Sequence, residues 1–172
     1  MAKEGSPYSG FLYAGLMIAA DGTPKVIEYN CRFGDPETQP IMMRLQSDLV
    51  ELCLAACRCE LDSASINFDS RAALGVVLAA SGYPGSYSKG DVISGIELNA
   101  LPDRKTFHAG TVIQNNSLVT AGGRVLCATA LGANVTDAQK SAYQLLEQIK
   151  WKDAEYRTDI GYRAIAREQT KD

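Results

Sequence analysis

The N-terminal part of the chain carries two strand-like stretches separated by a turn. Phe11 to Ala20 is mostly apolar and lacks the alternation of a half-exposed strand, which predicts a central strand covered on both faces. Asp21-Gly22-Thr23-Pro24 has the composition of a tight turn. Lys25 to Asn30 is rich in β-branched and aromatic residues and predicts a second strand that returns beside the first.

A helical pattern follows from Pro36 to about Glu60, with a possible break near Pro40. Ser47 or Asp48 is suited to cap a second helix there, because serine and aspartate side chains accept from the first free N–H groups. Apolar residues recur at helical spacing and form one stripe: Met42, Leu45, Leu49, Leu52, Cys53 and Ala56.

The remaining chain reads as a second unit of strands and one helix. Leu61 to Ser70 is polar and turn-rich, so we place a boundary there, with units at 1–62 and 63–172. A capping box at Thr136 predicts a helix that runs to about Lys150. The core face of that helix comprises Ala138, Ala142, Leu145, Leu146 and Ile149. The predicted strands are Arg71 to Ser81, Val92 to Gly95, Thr106 to Gln114, Leu118 to Thr120 and Arg124 to Leu131.

Composition narrows the class of protein. The 172 residues are 46% hydrophobic and 22% charged, with a net charge of −3, so no basic surface argues for nucleic acid. No apolar run approaches the ~20 residues of a membrane span, and the N-terminus lacks an apolar signal region. The five cysteines are an odd number without the spacing of a secreted scaffold. We therefore expect a cytoplasmic protein with free thiols, no membrane partner and no nucleic-acid partner.

Two apparent sites are better explained as structural residues. Cys53, Cys57 and Cys59 are close in sequence, but Zn²⁺ sites favour paired spacings and a fourth ligand, and no histidine is near. We expect Cys53 and Cys57 to pack in the apolar stripe. His108 is the only histidine and stands in a predicted strand without a neighbouring carboxylate, so we expect a hydrogen-bonded structural role.

Polar side chains with the chemistry of a metal and phosphate site follow the second predicted strand. Alternation places Glu28 and Asn30 on one face, with Arg32 on the same side if the strand continues. Carboxylate and amide oxygens suit Mg²⁺, and an arginine can neutralise a phosphate. The chain then turns through Gly34-Asp35-Pro36 and starts a helix, whose N-terminus favours anions. From these residues alone, a capped helix with a solvated polar face remains an alternative.

A longer string around this motif resembles a known family. Glu28-Tyr29-Asn30-Cys31-Arg32-Phe33-Gly34-Asp35-Pro36-Glu37-Thr38-Gln39 is similar to the signature of the glycinamide ribonucleotide synthetases (phosphoribosylamine–glycine ligases), ATP-grasp enzymes of purine synthesis. The resemblance runs from about Gly5 to Arg167 and concerns the C-terminal portion of such an enzyme. Further matches are Leu12-Tyr13-Ala14-Gly15-Leu16-Met17, Gly82-Tyr83-Pro84-Gly85, Phe107-His108-Ala109-Gly110-Thr111, Gly122-Gly123-Arg124-Val125-Leu126 and Tyr156-Arg157-Thr158-Asp159-Ile160-Gly161.

The resemblance implies an α+β fold in two parts. Residues 1–62 would be the C-terminal part of an ATP-grasp domain, with antiparallel strands plus helices. Residues 63–172 would be a small C-terminal β-rich domain with helices. The implied activity is that of an ATP-dependent carboxylate–amine ligase, which joins glycine and phosphoribosylamine through a glycyl phosphate. ATP is the implied co-substrate and Mg²⁺ or Mn²⁺ the implied metal, but the ATP-binding lid of the family has no counterpart in this chain, so its residues stay unknown.

Family roles carry over residue by residue. Glu28 and Asn30 would hold the metal, and Arg32 would contact the transferring or acyl phosphate. Either Asp35 or Glu37 is a plausible partner for an amino group, although acids in the first turn of a helix also occur for its dipole. The implied substrate-binding residues are Gly34, Asp35, Pro36 and Glu37.

Two alternatives stay open beside this reading: another ATP-grasp ligase or carboxylase of purine synthesis, and a non-enzymatic binding module that kept the fold. The string Arg32-Phe33-Gly34-Asp35-Pro36-Glu37 fits the synthetases better than the other ligases. An ATP-grasp site closes between two halves, so we expect this chain by itself to be a folded but inactive fragment. Strands from Phe11 to Asn30 would then expose apolar surface, which predicts a possible dimer through them.

Overall fold

The computed structural model describes residues 1–96 and 101–170. Within them, four α-helices and three antiparallel sheets form an α+β fold, so the predicted fold class is confirmed. No helix in these two ranges has the length and apolar character needed to cross a membrane. The chain divides into two compact units, and the assignment of 1–62 and 63–172 as functional domains stays a prediction. Unit 1 comprises Met1–Thr38 and Leu45–Phe68, and unit 2 comprises Gln39–Arg44 and Asp69–Asp172.

Unit 1 contains a two-stranded antiparallel sheet of β1 (Tyr13–Ile18) and β2 (Pro24–Asn30). In the turn between them, the N–H of Thr23 donates to Oδ1 of Asp21 at 2.9 Å. Gly22 has a φ of 85°, a conformation that glycine reaches without a Cβ clash. The predicted strand pair and its turn are therefore present.

The prediction that Phe11 to Ala20 is covered on both faces is wrong for unit 1. Leu16, Met17 and Ile18 of β1 are 46%, 56% and 57% exposed. Ile27 of β2 is 64% exposed. A continuous apolar pattern requires neighbours on both sides, whereas the sheet of unit 1 stops at two strands.

Two helices follow the sheet in sequence, α1 (Thr38–Arg44) and α2 (Leu49–Cys57). The break between them lies at residues 45–48 rather than near Pro40, so the predicted position is wrong. Pro40 falls in the first turn of α1, where a backbone N–H has no helical acceptor to lose. The proline is therefore compatible with the helix that it was expected to interrupt.

The sequence predicts the start of α2 better than its end. Asp48 caps the helix as predicted, since its Oδ1 accepts from the N–H groups of Val50 and Glu51 at 2.7 and 3.3 Å. Cys53 is half-buried, but Cys57 is exposed, so the prediction that both cysteines pack is wrong for Cys57. Cys57 is the last residue of α2, where the apolar stripe has already ended.

The main sheet of unit 2 is built around β7 (Arg124–Gly132), which lies between β3 (Ala72–Ala79) and β4 (Arg104–His108) and is buried along its interior. The predicted strand from Thr106 to Gln114 is in fact two strands, β4 and β5 (Thr111–Gln114), because Gly110 interrupts it. A Cβ at Gly110 would lie 2.6 Å from the Cα of Gly122, so the backbones approach closely there. Strand β6 (Ser117–Thr120) lies between β5 and β7 in the chain.

Helix α3 (Val135–Leu146) covers one face of the main sheet and completes the core of unit 2. Ile149 and Trp151 extend the same core beyond the end of the helix. The predicted apolar face is confirmed, because each of its members is buried: Ala138, Ala142, Leu145, Leu146 and Ile149.

The ends of α3 differ from the prediction. Asn134, not Thr136, is the N-cap, and its side chain accepts from the N–H of Asp137 at 2.8 Å. The carboxylate of Glu168, in helix α4 (Tyr162–Gln169), accepts from the N–H of Val135 at 2.7 Å. This second acceptor satisfies a further free N–H group of α3, and the hydrogen bond lowers the pKa of Glu168.

Candidate functional site

Glu28 and Asn30 lie near the end of β2 on one face of the strand. On the neighbouring strand, Gly15 pairs with Glu28 and Tyr13 pairs with Asn30. A Cβ at Gly15 would lie 3.1 Å from Cγ of Glu28, so the glycine leaves room for the glutamate side chain. The strand therefore presents a carboxylate and an amide side by side.

The side-chain amide of Asn30 has an unsatisfied end. Its Nδ2 atom is buried and has no hydrogen-bond partner within residues 1–96 and 101–170. The nitrogen and oxygen of a side-chain amide are told apart only by their hydrogen bonds. Rotating the Asn30 amide by 180° therefore places its oxygen at the position of Nδ2. A buried polar atom without a partner in the chain is stabilised when a ligand supplies the missing contact.

These donors fit a divalent cation. The carboxylate of Glu28 and the amide oxygen of Asn30 are hard oxygen donors, and Mg²⁺ commonly takes one or two protein oxygens together with phosphate oxygens and water. No cluster of three or more His, Cys, Asp or Glu side chains able to hold a metal occurs in the described part of the chain. Glu28 and Asn30 thus offer two oxygen donors, a partial ligand set for such a cation.

The turn after β2 is packed around Gly34, which is buried. A Cβ at this position would lie 2.9 Å from Cε2 of Tyr13 and would overlap the carboxylate of Glu37. The Gly34 carbonyl accepts from the backbone N–H and the hydroxyl of Thr38, at 3.1 and 2.6 Å, and α1 begins there. Glycine is therefore required for this close approach of turn, ring and carboxylate.

Tyr13 donates to one predicted site residue, Glu37, and packs beside another, Gly34, although the sequence alone did not single it out. Its phenol donates to Oε1 of Glu37 at 3.1 Å. The pKa of Tyr13 is raised, first by that hydrogen bond and the charge of Glu37, then by partial burial and the charge of Glu28; Arg32 opposes the shift. Glu37 thus contacts the Tyr13 hydroxyl directly, and the charges of Glu28 and Arg32 also act on it. The pairing of Tyr13 with Asn30 in the hairpin register was the signal that could have found it.

Arg32, Asp35 and Pro36 complete the turn. The guanidinium of Arg32 is exposed, and its Nη1 donates to the carbonyl of Phe33 at 2.7 Å. The ring of Phe33 lies 4.0 Å from that of Phe11, which holds the turn against the segment before β1. Asp35 is exposed and Pro36 is half-buried. The roles of these residues stay predictions.

The other candidates of the sequence belong to other elements of the chain. His108 ends β4 in unit 2 and is exposed, with Nδ1 3.0 Å from the hydroxyl of Thr111. That contact agrees with the expected hydrogen-bonded role. The cysteines carry no disulfide in the described structure, and Cys57 and Cys59 are exposed.

Family models match both parts of the chain. The model described as "Phosphoribosylglycinamide synthetase, C domain" matches residues 73–163. The model described as "Phosphoribosylglycinamide synthetase, ATP-grasp (A) domain" matches residues 1–38, which include β1, β2 and the turn after them. The resemblance drawn from the sequence is confirmed.

Individual relatives agree with these matches. A phosphoribosylamine–glycine ligase of Vibrio vulnificus (strain CMCP6) is 65% identical over 171 residues, which are 99% of this chain and 40% of the relative. One of Escherichia coli O157:H7 is 62% identical over 170 residues, or 98% of this chain and 40% of the relative. The chain thus spans about 40% of the length of the curated relatives it matches.

The crystal structure of a phosphoribosylamine–glycine ligase from Thermotoga maritima is similar as well. It matches with a TM-score of 0.78 at 38% sequence identity, and the match covers 92% of this chain and 38% of that one. Sequence and structure comparisons therefore agree, and the chain belongs to the phosphoribosylglycinamide synthetase family.

Proposed function

We propose that this chain is part of a phosphoribosylamine–glycine ligase, which joins glycine to phosphoribosylamine with ATP in purine synthesis. Relatives of that name at 62% and 65% identity support the proposal. The observation that carries it is the arrangement after β2, where Tyr13 donates to Glu37 and the charges of Glu28 and Arg32 also act on the Tyr13 phenol. Such a ligase needs groups for a metal, a phosphate and an amino group close together, and the residues of this turn would supply them.

The metal in this proposal is Mg²⁺ or Mn²⁺, held by Glu28 and Asn30. Bound there, it would neutralise charge on the phosphates of ATP. Glu28 contributes a carboxylate from a paired strand, and Asn30 contributes a neutral oxygen at an otherwise unsatisfied position. Both side chains project from the same face of β2, so the strand fixes the spacing of the two residues before a ligand arrives.

Arg32 would bind the phosphate that passes from ATP to the carboxylate of glycine. That transfer forms glycyl phosphate and ADP, and the amine of phosphoribosylamine then displaces phosphate to form the amide. The first step brings the carboxylate of glycine to the polyphosphate, and in the second step phosphate leaves as an anion. A guanidinium lowers both barriers by neutralising negative charge on the phosphate. Arg32 is exposed and able to exchange its contact with the Phe33 carbonyl for a phosphate oxygen.

The turn itself would form the substrate pocket. Gly34 supplies a floor without a side chain, and the carboxylates of Asp35 and Glu37 are the candidates for contact with the amino group of glycine. Pro36 restricts the backbone between the two acids. Residues 1–62 would then be the ATP-grasp part and 63–172 the C-terminal domain, in line with the two family models.

The surroundings of the chain are also part of the proposal. Free cysteines support a reducing, cytoplasmic compartment.

Exposed apolar side chains on β1 and β2 support weak pairing of two copies of this chain through those strands. Sedimentation equilibrium of the chain would measure that association, and a single monomeric species at high concentration would contradict it.

A chimera tests the proposed activity. This chain replaces the matched 40% of the Vibrio vulnificus ligase, and the protein is assayed for ADP and glycinamide ribonucleotide with ATP, glycine and phosphoribosylamine. We expect product that depends on all three substrates. The chain alone, which spans only part of its relatives, is expected to give none.

The Arg32→Ala chimera separates catalysis from folding. It should keep the circular dichroism spectrum and melting temperature of the parent chimera while losing product formation. A folded parent chimera that makes no product, or makes product without glycine, would contradict the proposed function.

A further inference from the structure

Glu37 stands just before helix α1, and its carboxylate accepts from a tyrosine of β1. Such a side chain can accept from the free N–H groups of the first turn. In this chain the N–H of Thr38 donates to the carbonyl of Gly34, and Glu37 reaches instead to Tyr13 on β1, 24 residues earlier. The carboxylate is thus held by a tertiary contact.

Gly34 fixes the other side of this contact. A Cβ there would lie 2.9 Å from Cε2 of Tyr13 and would overlap Oε2 of Glu37. The ring of Tyr13 and the carboxylate therefore pack over the same glycine. The phenol occupies Oε1 of Glu37, whereas Oε2 lies above a residue that has no side chain to cover it.

We propose that Tyr13 is a positioning residue that holds the carboxylate of Glu37 over Gly34, where it receives the ammonium group of glycine. The inference rests on the proposed function and adds a residue that the family signature after Glu28 does not include. A neutral donor on one carboxylate oxygen fixes the side chain and leaves the negative charge for the ammonium group. Fixing the rotamer in advance favours binding, because less side-chain entropy is lost.

The phenol of Tyr13 is in the donor form at neutral pH. An ordinary tyrosine has a pKa of about 10, and the hydrogen bond to Glu37 raises the pKa of Tyr13 further. The contact at 3.1 Å therefore joins a protonated phenol to the carboxylate.

The first test needs no activity and uses the 172-residue chain. Tyrosines carry ¹³C at Cζ, and NMR follows each resonance as pH rises; Tyr13→Phe identifies the Tyr13 signal by its loss. We expect the Tyr13 signal to titrate at lower pH in Glu37→Gln than in the parent chain. An unchanged titration would overturn the contact. Tyr8→Phe is the matched control and should leave the titration of the Tyr13 signal unchanged. Tyr8 lies in the same unit but donates to the carbonyl of Phe11 rather than to Glu37.

The second test uses the chimera. Steady-state assays give the KM for glycine, and calorimetry gives the Kd for glycine. Hydrogen bonds to charged groups are strong enough that Tyr13→Phe should raise both constants about tenfold. The KM for ATP should stay unchanged, and kcat should change less than the glycine KM. Tyr8→Phe should leave all of these constants unchanged.

The outcomes separate the two proposals. Product formation with a glycine KM and Kd unaffected by Tyr13→Phe contradicts this inference alone. Glycine binding that depends on Tyr13 without product contradicts the proposed function alone. A folded chimera that neither binds glycine nor makes product contradicts both.

Discussion

Unit 1 and unit 2 differ in where their apolar side chains lie. Strands β1 and β2 and helix α2, all in unit 1, contain no buried residue, and Leu16 and Ile27 stand in solvent. The buried apolar cluster lies in unit 2, between β3, β7 and α3. Yet the predicted metal, phosphate and substrate residues all belong to unit 1. The segment with the candidate chemistry therefore has little core of its own, and the segment with the core carries no predicted site residue.

The largest expected effect concerns the core. Leu126 is 1% exposed in β7, so Leu126→Ala should lower the free energy of unfolding by about 3 kcal/mol through lost burial and a cavity. Leu16 is 46% exposed, and Leu16→Ala should change it by less than about 0.5 kcal/mol. Urea denaturation of the two variants measures the difference. Equal losses would show that the contrast between the units is wrong.

The next effect concerns the proposed metal site. Glu28→Gln in the chimera should lower turnover by about a hundredfold or more, because a neutral amide replaces the carboxylate ligand. Urea denaturation should be unchanged, since Glu28 is exposed. Glu4→Gln, an exposed change in the same unit, is the control. Near-normal turnover in Glu28→Gln would remove the metal assignment.

A smaller effect is expected at Arg32. Lysine keeps the charge but lacks the planar fork that binds two phosphate oxygens, so Arg32→Lys should lower kcat about tenfold. The glycine KM should change less than kcat. If only the glycine KM rises in steady-state assays of the chimera, Arg32 binds substrate and the phosphate role is wrong.

The smallest effect is a pH dependence in unit 2. Hydrogen bonds from the side chain and backbone of Arg71 lower the pKa of Asp69 from 3.8 to about 2. A carboxyl with a lowered folded-state pKa contributes stability above its unfolded pKa and loses it as pH falls through the folded value. Stability of the parent chain should therefore fall more between pH 3.8 and about 2 than that of Asp69→Asn. Urea midpoints at both pH values measure this, with Asp62→Asn as the control; parallel losses in Asp69→Asn would contradict it.

The sequence predicted correctly those elements that depend on interactions between residues close together in the chain. The buried face of α3 follows from helical spacing, and the start of α2 follows from an aspartate that bonds two residues further on. The hairpin of β1 and β2 follows from its turn residues. The α+β fold class rested on such signals together with the family resemblance.

The features that the sequence did not predict depend mainly on contacts between residues far apart in the chain. Glu168 accepts from the N–H of Val135, 33 residues away, so a second helix supplies part of the capping of α3. The N-cap itself is Asn134 rather than Thr136, a local alternative that the capping-box pattern did not select. Tyr13 reaches Glu37 across 24 residues, and only the pairing of strands brings them together. The apolar run in β1 predicted burial, but burial depends on neighbours that unit 1 does not supply. The roles of Glu28, Asn30 and Arg32 stay predictions because no ligand contact defines them.

The thiols of the two units differ in how readily a reagent in solution can reach them. Cys31, Cys53, Cys57 and Cys59 belong to unit 1, whereas Cys127 lies buried inside β7 of unit 2. Maleimide adds a fixed mass to each thiol that it can reach. In intact-mass spectra, early additions report the unit 1 thiols, and the fifth appears only when the main sheet of unit 2 opens. The rate of the fifth addition therefore measures how fast the main sheet of unit 2 opens, without any engineered label.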